Sequence, residues 1–191
     1  MAKALDHDDR RQQLALACAR LFAKSGYAAL NMRSIAAELG VSTGVVYHYF
    51  PSKAALFEAV ARITVETDVE AGTRLLIAAS TDPRERLALL LHFMQKRMGE
   101  FVMHYRVLVE YSSQLDDEDQ VAAWTRTLAS LRERYARAIG EILELGDAGA
   151  RDHVLLTMCG LILRAMCGDA TTDLQRVSES LARVIGWERK Q

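Results

Sequence analysis

The sequence predicts an all-α protein, and three observations lead there. Half of the 191 residues are apolar, enough for a substantial core and too many for a disordered chain. Two prolines and eleven glycines leave long unbroken stretches rich in Ala, Leu, Glu and Arg, the stronger helix formers. Apolar residues recur every three or four positions, and no strand-like alternation, internal repeat or low-complexity segment appears.

The elements follow in order. Residues through His7 are polar and read as frayed. From Asp8 the spacing Leu14, Ala17/Cys18, Leu21, Phe22 predicts a first helix that stops at Ser25-Gly26, a glycine end signal. Asn31 suits the N-cap of a short helix carrying Ile35, Ala36 and Leu39 and closed by Gly40. Ser42 caps a third, very short helix through about Tyr49. Pro51 interrupts, Ser52 caps again, and a long helix with Leu56, Val60, Ile63 and Thr67 on one stripe runs to about Ala79. The break Ser80-Thr81-Asp82-Pro83 precedes helical stretches at 84–98, 100–114, 119–145, 150–168 and 172–187. The expected count is about nine helices.

Charge and cysteine usage narrow the function classes. The formal charge is −1, but residues 1–62 hold eight Lys/Arg against five Asp/Glu, and the remainder is acidic. The front is therefore the part suited to a polyanion. Cys18, Cys159 and Cys167 are odd in number, lack CxxC spacing, and fit a reducing cytoplasm. The longest apolar run, Val154–Cys167, is too short to span a bilayer and contains Arg164, so no membrane association is expected. No Ser/His/Asp arrangement, phosphate loop or paired carboxylates suggest an enzyme. A non-specific architectural DNA binder would be far more basic. His92, His104 and His153 lack metal-ligand spacing, and neither a metal nor a cofactor is expected.

Two short helices joined around Gly40 form a helix-turn-helix pattern. Ile35 and Leu39 face inward, Ala36 is small where the helices cross, Gly40 accepts a left-handed conformation, Val41 plugs the turn and Val46 anchors the second helix. The outward side offers Ser42, Thr43, Gly44, Tyr47 and His48. The helix start at Thr43 and Gly44 presents free N–H groups, and Tyr47 and His48 can reach phosphate oxygens or a thymine methyl. Arg33 and Lys53 would grip the backbone on either side. Tyr49 and Phe50 read as core.

With those residues in view, positions 10–62 resemble the DNA-binding domain of the TetR family of bacterial transcription regulators. The resemblance rests on LFAKSGYAALNMRSIAAELGVSTGVVYHYFPSKAALFEAV, with its Gly-Tyr after the first helix and the run Tyr-His-Tyr-Phe-Pro-Ser-Lys. It implies that Arg33, Ser42, Thr43, Gly44, Val45, Tyr47, His48 and Lys53 lie at or near DNA, with Tyr47 and Lys53 on phosphate and Thr43, Gly44, Val45 and His48 toward the bases. Gly44 and Val45 offer little polar contact, so thymine methyls or duplex shape are the features left to read. It implies a helix-turn-helix domain over 8–53, a connecting helix over 53–79, and a ligand-binding and dimerisation domain over 80–191.

In that family the last two helices pair with their copies in a homodimer. Here Val154–Cys167 is apolar nearly all round, and the final helix carries an apolar seam. The expected interface is Leu156, Cys159, Leu163, Arg164, Leu174, Val177, Leu181 and Val184. A lone cation such as Arg164 needs a carboxylate, a carbonyl or an anionic ligand. Met94, Met98, Phe101, Met103, Tyr105, Tyr111 and Trp124 are an adaptable, ring-rich set that could line a pocket or simply form core. The expected partners are double-stranded operator DNA, a second copy of the chain and a small-molecule effector. The expected role is repression released by that effector, with activation or redox-responsive regulation as the alternative.

Overall fold

The computed structural model describes residues 2–169 and 171–187, with side chains from His7 onward. Nine helices and no strand occur among them: α1 (Ala2–Ser25), α2 (Met32–Glu38), α3 (Thr43–Tyr49), α4 (Lys53–Ala79), α5 (Pro83–Lys96), α6 (Met98–Ser112), α7 (Glu118–Leu143), α8 (Ala148–Met166) and α9 (Leu174–Val184). One expectation is corrected at the front. Helix α1 begins at Ala2, not near Asp8, because Ala2, Ala4 and Leu5 are strong helix formers with no breaker between them and Asp8.

Local chemistry sets the boundaries. Asn31 caps α2 by accepting from the backbone N–H groups of Arg33 at 3.0 Å and Ser34 at 2.9 Å, while the Ser34 hydroxyl accepts from the Asn31 N–H at 3.0 Å. This reciprocal box satisfies donors that a helix start leaves without partners. Gly40 closes α2 at a φ of +65°, a region that side chains resist. The Ser42 hydroxyl then caps α3 through the Val45 N–H at 3.3 Å, and Ser52 caps α4 through the Ala55 N–H at 3.0 Å. Aspartates do the same for α5, α8 and α9: Asp82, Asp147 and Asp173 each accept from a first-turn N–H.

The chain divides into two compact units. One comprises Met1–Thr67 with Arg106–Ala129, the other Asp68–Tyr105 with Ser130–Gln191. Helices α4, α6 and α7 each run from one unit into the other.

In the first unit the apolar stripe of α1 (Leu14, Cys18, Phe22) is buried with Ile35, Ala36, Val46, Phe50, Leu56, Phe57 and Val60. Burial of each such large side chain is worth about 1.5–3 kcal/mol, so these residues hold the short α2 and α3, which could not persist alone.

In the second unit the core gathers Leu76, Leu87, Leu90, Met94, Phe101, Ile139, Leu143, Val154, Ile162 and Leu181. Helix α9 packs on α5 and α8. Arg86 is buried among these helices and donates to the carbonyls of Ser80 at 2.8 Å, Thr81 at 3.1 Å and Ile142 at 2.7 Å, and to Glu144 at 3.0 Å. One guanidinium thus satisfies carbonyls at the ends of α4 and α7 that those helices leave open.

Among the described residues no helix is long and apolar enough to cross a membrane, and no three His, Cys, Asp or Glu side chains gather as metal ligands. Cys18, Cys159 and Cys167 are free thiols.

Candidate nucleic-acid interface

Helix α3 rests on Val46 and Phe50, which are 1% and 0% exposed, and turns its other side outward. There Tyr47 is 51% exposed, Gly44 and His48 are exposed, and Thr43 and Val45 are half-buried. Arg33, in the first turn of α2, is exposed as well. The Ser42 hydroxyl is engaged in capping. At Gly44 a Cβ would meet only the Ser42 hydroxyl, at an ordinary 3.8 Å, and the backbone does not have positive φ. The fold does not require glycine there, and the bare backbone leaves the outer surface open to close approach. Tyr49 is half-buried, whereas Phe50 is fully buried.

Lys53 is arranged differently from the expected phosphate clamp. Its Nζ donates to the carbonyls of Tyr27 at 3.1 Å and Leu30 at 2.9 Å, and lies 4.0 Å above the Tyr27 ring. Two of its three donors are therefore committed inside the chain. Burial lowers its pKa, and the nearby Glu110 carboxylate opposes that shift.

Glu110, on α6, completes a clasp around the turn after α1. Its carboxylate accepts from the backbone N–H groups of Tyr27 at 2.9 Å and Ala28 at 2.8 Å. Gly26 has a φ of +79°, and a Cβ at that position would stand 2.8 Å from Glu110 Oε2. Glycine is needed both for the turn and for the carboxylate's approach. Around the clasp Phe22, Tyr27, Phe57, Tyr111 and Trp124 form a chain of ring contacts with centroids 4.7–5.9 Å apart. The Trp124 indole N–H donates to the Ser112 hydroxyl at 2.7 Å. Burial and the neighbouring Tyr111 push the Tyr27 phenol up to about 12. A glutamate on α6 carries no sequence mark of this role, because its partners are backbone groups more than 80 positions away.

The seven pocket candidates do not come together. Met94 and Phe101 are buried in the core of the second unit, Met98 and Tyr105 pack against it, and Met103 is exposed. Tyr111 and Trp124 belong to the ring cluster of the first unit. What the second unit does hold is a polar group that periodicity hid. Asp68, 7% exposed, accepts from Arg97 at 2.8 Å and lies 3.5 Å from the Tyr135 hydroxyl. Arg97 also pairs with Glu100 at 2.6 Å and lies over Phe93 and Phe101. Burial opposes the charge of Arg97, but its bonds to Glu100 and Asp68 prevail and raise its pKa. Burial, with Asp68 adding, pushes the Tyr135 phenol up. The Tyr105 hydroxyl and the Cys159 thiol share a hydrogen bond at 3.1 Å.

The interface candidates also divide. Leu181 is buried, and Val177 and Cys159 pack against the core, so they face the interior of their own chain. Leu174 is half-buried. Leu156, Leu163 and Val184 are 69%, 60% and 57% exposed. Leu156, Gly160 and Leu163 fall on one face of α8, at positions i, i+4 and i+7, and all three are exposed. Arg164 finds its carboxylate close by: its Nε and Nη2 reach Asp169 Oδ2 at 3.1 and 2.5 Å, at the solvent-exposed end of α8.

Residues 16–60 match the family described as bacterial regulatory proteins, tetR family. Over 153 residues the chain is 36% identical to the HTH-type transcriptional activator FasR of Mycolicibacterium smegmatis, an alignment that takes in 78% of this chain and 65% of that one. Over 87 residues it is 38% identical to the HTH-type transcriptional regulator BetI of Burkholderia cenocepacia, covering 46% of this chain and 45% of that one. The matched region thus spans about half to two-thirds of the length of these relatives. Among solved structures, the Streptomyces coelicolor protein SCO7518 superposes with a TM-score of 0.74 over 93% of this chain and 98% of that one, at 20% identity, a likeness of fold.

Proposed function

Taking as premise that this chain belongs to the TetR family of bacterial transcriptional regulators and is not an enzyme, we propose that it binds a two-fold-related operator as a homodimer in the cytoplasm. The observation that carries this reading is the outer side of α3. Val46 and Phe50 are the buried anchors of that helix, whereas Gly44, Tyr47 and His48 are exposed and Thr43 and Val45 only half-buried, so none of these five belongs to the core beneath. In a helix-turn-helix the second helix enters the major groove by its N-terminal residues. Thr43 and the bare Gly44 backbone then meet base edges, Val45 a thymine methyl, and Tyr47 and Arg33 the phosphates. Lys53 acts from behind, by holding the α1–α2 turn on which α2 is mounted.

The exposed stripe Leu156, Gly160 and Leu163 on α8, with Val184 on α9, supplies the self-pairing surface. A small residue between two leucines lets helices approach closely, and an isologous contact sets two α3 helices to half-sites ~34 Å apart.

A small-molecule effector binds in the second unit and shifts the dimer between DNA-competent and incompetent states. Helices α4, α6 and α7 carry the change because they are shared by both units, and Glu110 passes movement of α6 to the turn at Gly26–Leu30. Repression released by the effector is the reading adopted. The name of FasR as an activator favours a second one, in which the bound dimer assists transcription.

Selection from random duplexes tests the core of this reading. Wild-type protein is expected to enrich an inverted repeat, and Thr43→Ala to alter preference at one symmetric position by about 1–3 kcal/mol. An unchanged preference would remove Thr43 from the base-reading set, and no enrichment at all would end the reading.

A further inference from the structure

We propose that His7 and His48 together form a phosphodiester-binding site that gains protons as the duplex binds. The proposal rests on the reading that α3 faces DNA and adds to it a residue from another helix. His7 lies on α1, yet its ring packs 4.8 Å from the Tyr49 ring and 5.5 Å, edge-on, from His48; the His48 and Tyr49 rings are 4.9 Å apart. Two imidazoles from different helices are thus held together beside the Tyr49 ring. The His7 side chain is 45% exposed, and His48 is exposed, so both retain access to an approaching oxygen. Neither ring is needed to fill the core beneath, where Val46 and Phe50 already suffice.

The charges around the pair set the direction of the effect. On α1, the Asp8 carboxylate lies 3.7 Å from His7 Nδ1, and the Arg11 guanidinium sits over the Phe50 ring at 5.0 Å. On α3, the Tyr49 ring packs against both imidazoles. Among the described side chains the Asp8 carboxylate lies beside His7, and two imidazolium charges at the spacing of the pair oppose each other. A duplex brings a row of phosphates, which favours the doubly charged pair. Histidine is the side chain whose charge changes most readily around physiological pH, so the proton gain falls within an accessible range. By linkage, affinity rises as pH falls through that range, because the bound state holds more protons than the free one.

The test is the affinity of the full chain for its selected duplex, read from pH 8.0 to 5.5 at constant ionic strength. One proton gained strengthens wild-type binding on the order of tenfold between pH 7.5 and 6.0. His7→Asn and His48→Asn should each cut that gain to about threefold or less, and the double variant should be flat. His92, His104 and His153 belong to the other unit, and Asn at all three should preserve the wild-type slope. His7→Lys supplies a fixed charge: it should bind more tightly than wild type at pH 8 and show a reduced slope. Equal melting temperatures at pH 8 confirm that the variants fold. A wild-type slope retained in His7→Asn, or a His7→Lys variant no tighter at pH 8, would overturn the proposal. Failure to select any duplex would sink the underlying DNA reading instead.

Discussion

Gly26→Ala and Glu110→Ala, made singly and together, probe the clasp that anchors the α1–α2 turn. In the wild-type background Gly26→Ala forces a side chain into a positive-φ conformation, at about 1–2 kcal/mol. It also sets a Cβ 2.8 Å from Glu110 Oε2. That oxygen is pinned by two short N–H bonds and cannot swing aside without loosening them. Charge-assisted bonds are worth about 1.5–3 kcal/mol each, but the one to Ala28 is exposed, so the pair is discounted to about 2–3 kcal/mol. Gly26→Ala should therefore cost about 3–4 kcal/mol and Glu110→Ala about 2–3. Once Glu110 is gone the clash is gone, and Gly26→Ala should then cost only the backbone strain. The double variant should fall about 2 kcal/mol short of the sum of the singles. Urea unfolding followed by Trp124 fluorescence, in a Trp187→Phe background, reports on the unit that contains the clasp. Costs that add to within about 0.5 kcal/mol would refute the clasp.

Other outcomes follow from the same geometry. Leu163→Glu places a charge on an exposed α8 position and should leave the melting temperature within a few degrees of wild type while giving a monomer in sedimentation equilibrium; a dimer mass would move the self-pairing surface elsewhere. Burial pushes the Cys18 thiol up to about 11, so iodoacetamide at pH 8 should modify exposed Cys167 first and reach Cys18 only on unfolding, as read by mass spectrometry. The Tyr27 phenol ionises near pH 10 when unfolded and near 12 when folded, so its contribution to stability is present below pH 10 and is lost as pH rises through 10–12; Tyr27→Phe should flatten that part of the stability profile.

The features legible in the sequence are those written in local chemistry. Asn31, Ser42 and Ser52 announce helix starts because a short polar side chain reaches only its own first-turn N–H groups, and Gly40 announces an end because of its backbone. The full span of α4, residues 53–79, follows from the same cues. The start of α1 is harder to place, since the helix formers Ala2, Ala4 and Leu5 lie near an end and carry neither a cap nor a stop signal. Among site residues, the outward set on α3 follows from helical period once Val46 and Phe50 are assigned inward. Lys53 does not. Its direction is decided by two carbonyls more than 20 positions earlier, which no spacing rule reveals. Tyr111 and Trp124 share the composition of Met94 and Phe101 but pack in the other unit, since rings at helical spacing look alike until their neighbours are known. Asp68 was hidden on the buried side of α4 because a single polar residue does not disturb an apolar stripe.

The ratio of affinities for the selected inverted repeat and for a scrambled duplex of equal length, measured at physiological salt, tests the central claim most directly. A sequence-reading dimer should show a ratio of at least about 10³, and Tyr47→Ala should weaken both duplexes alike while leaving that ratio within about twofold. A ratio near one for the wild-type chain would contradict the account.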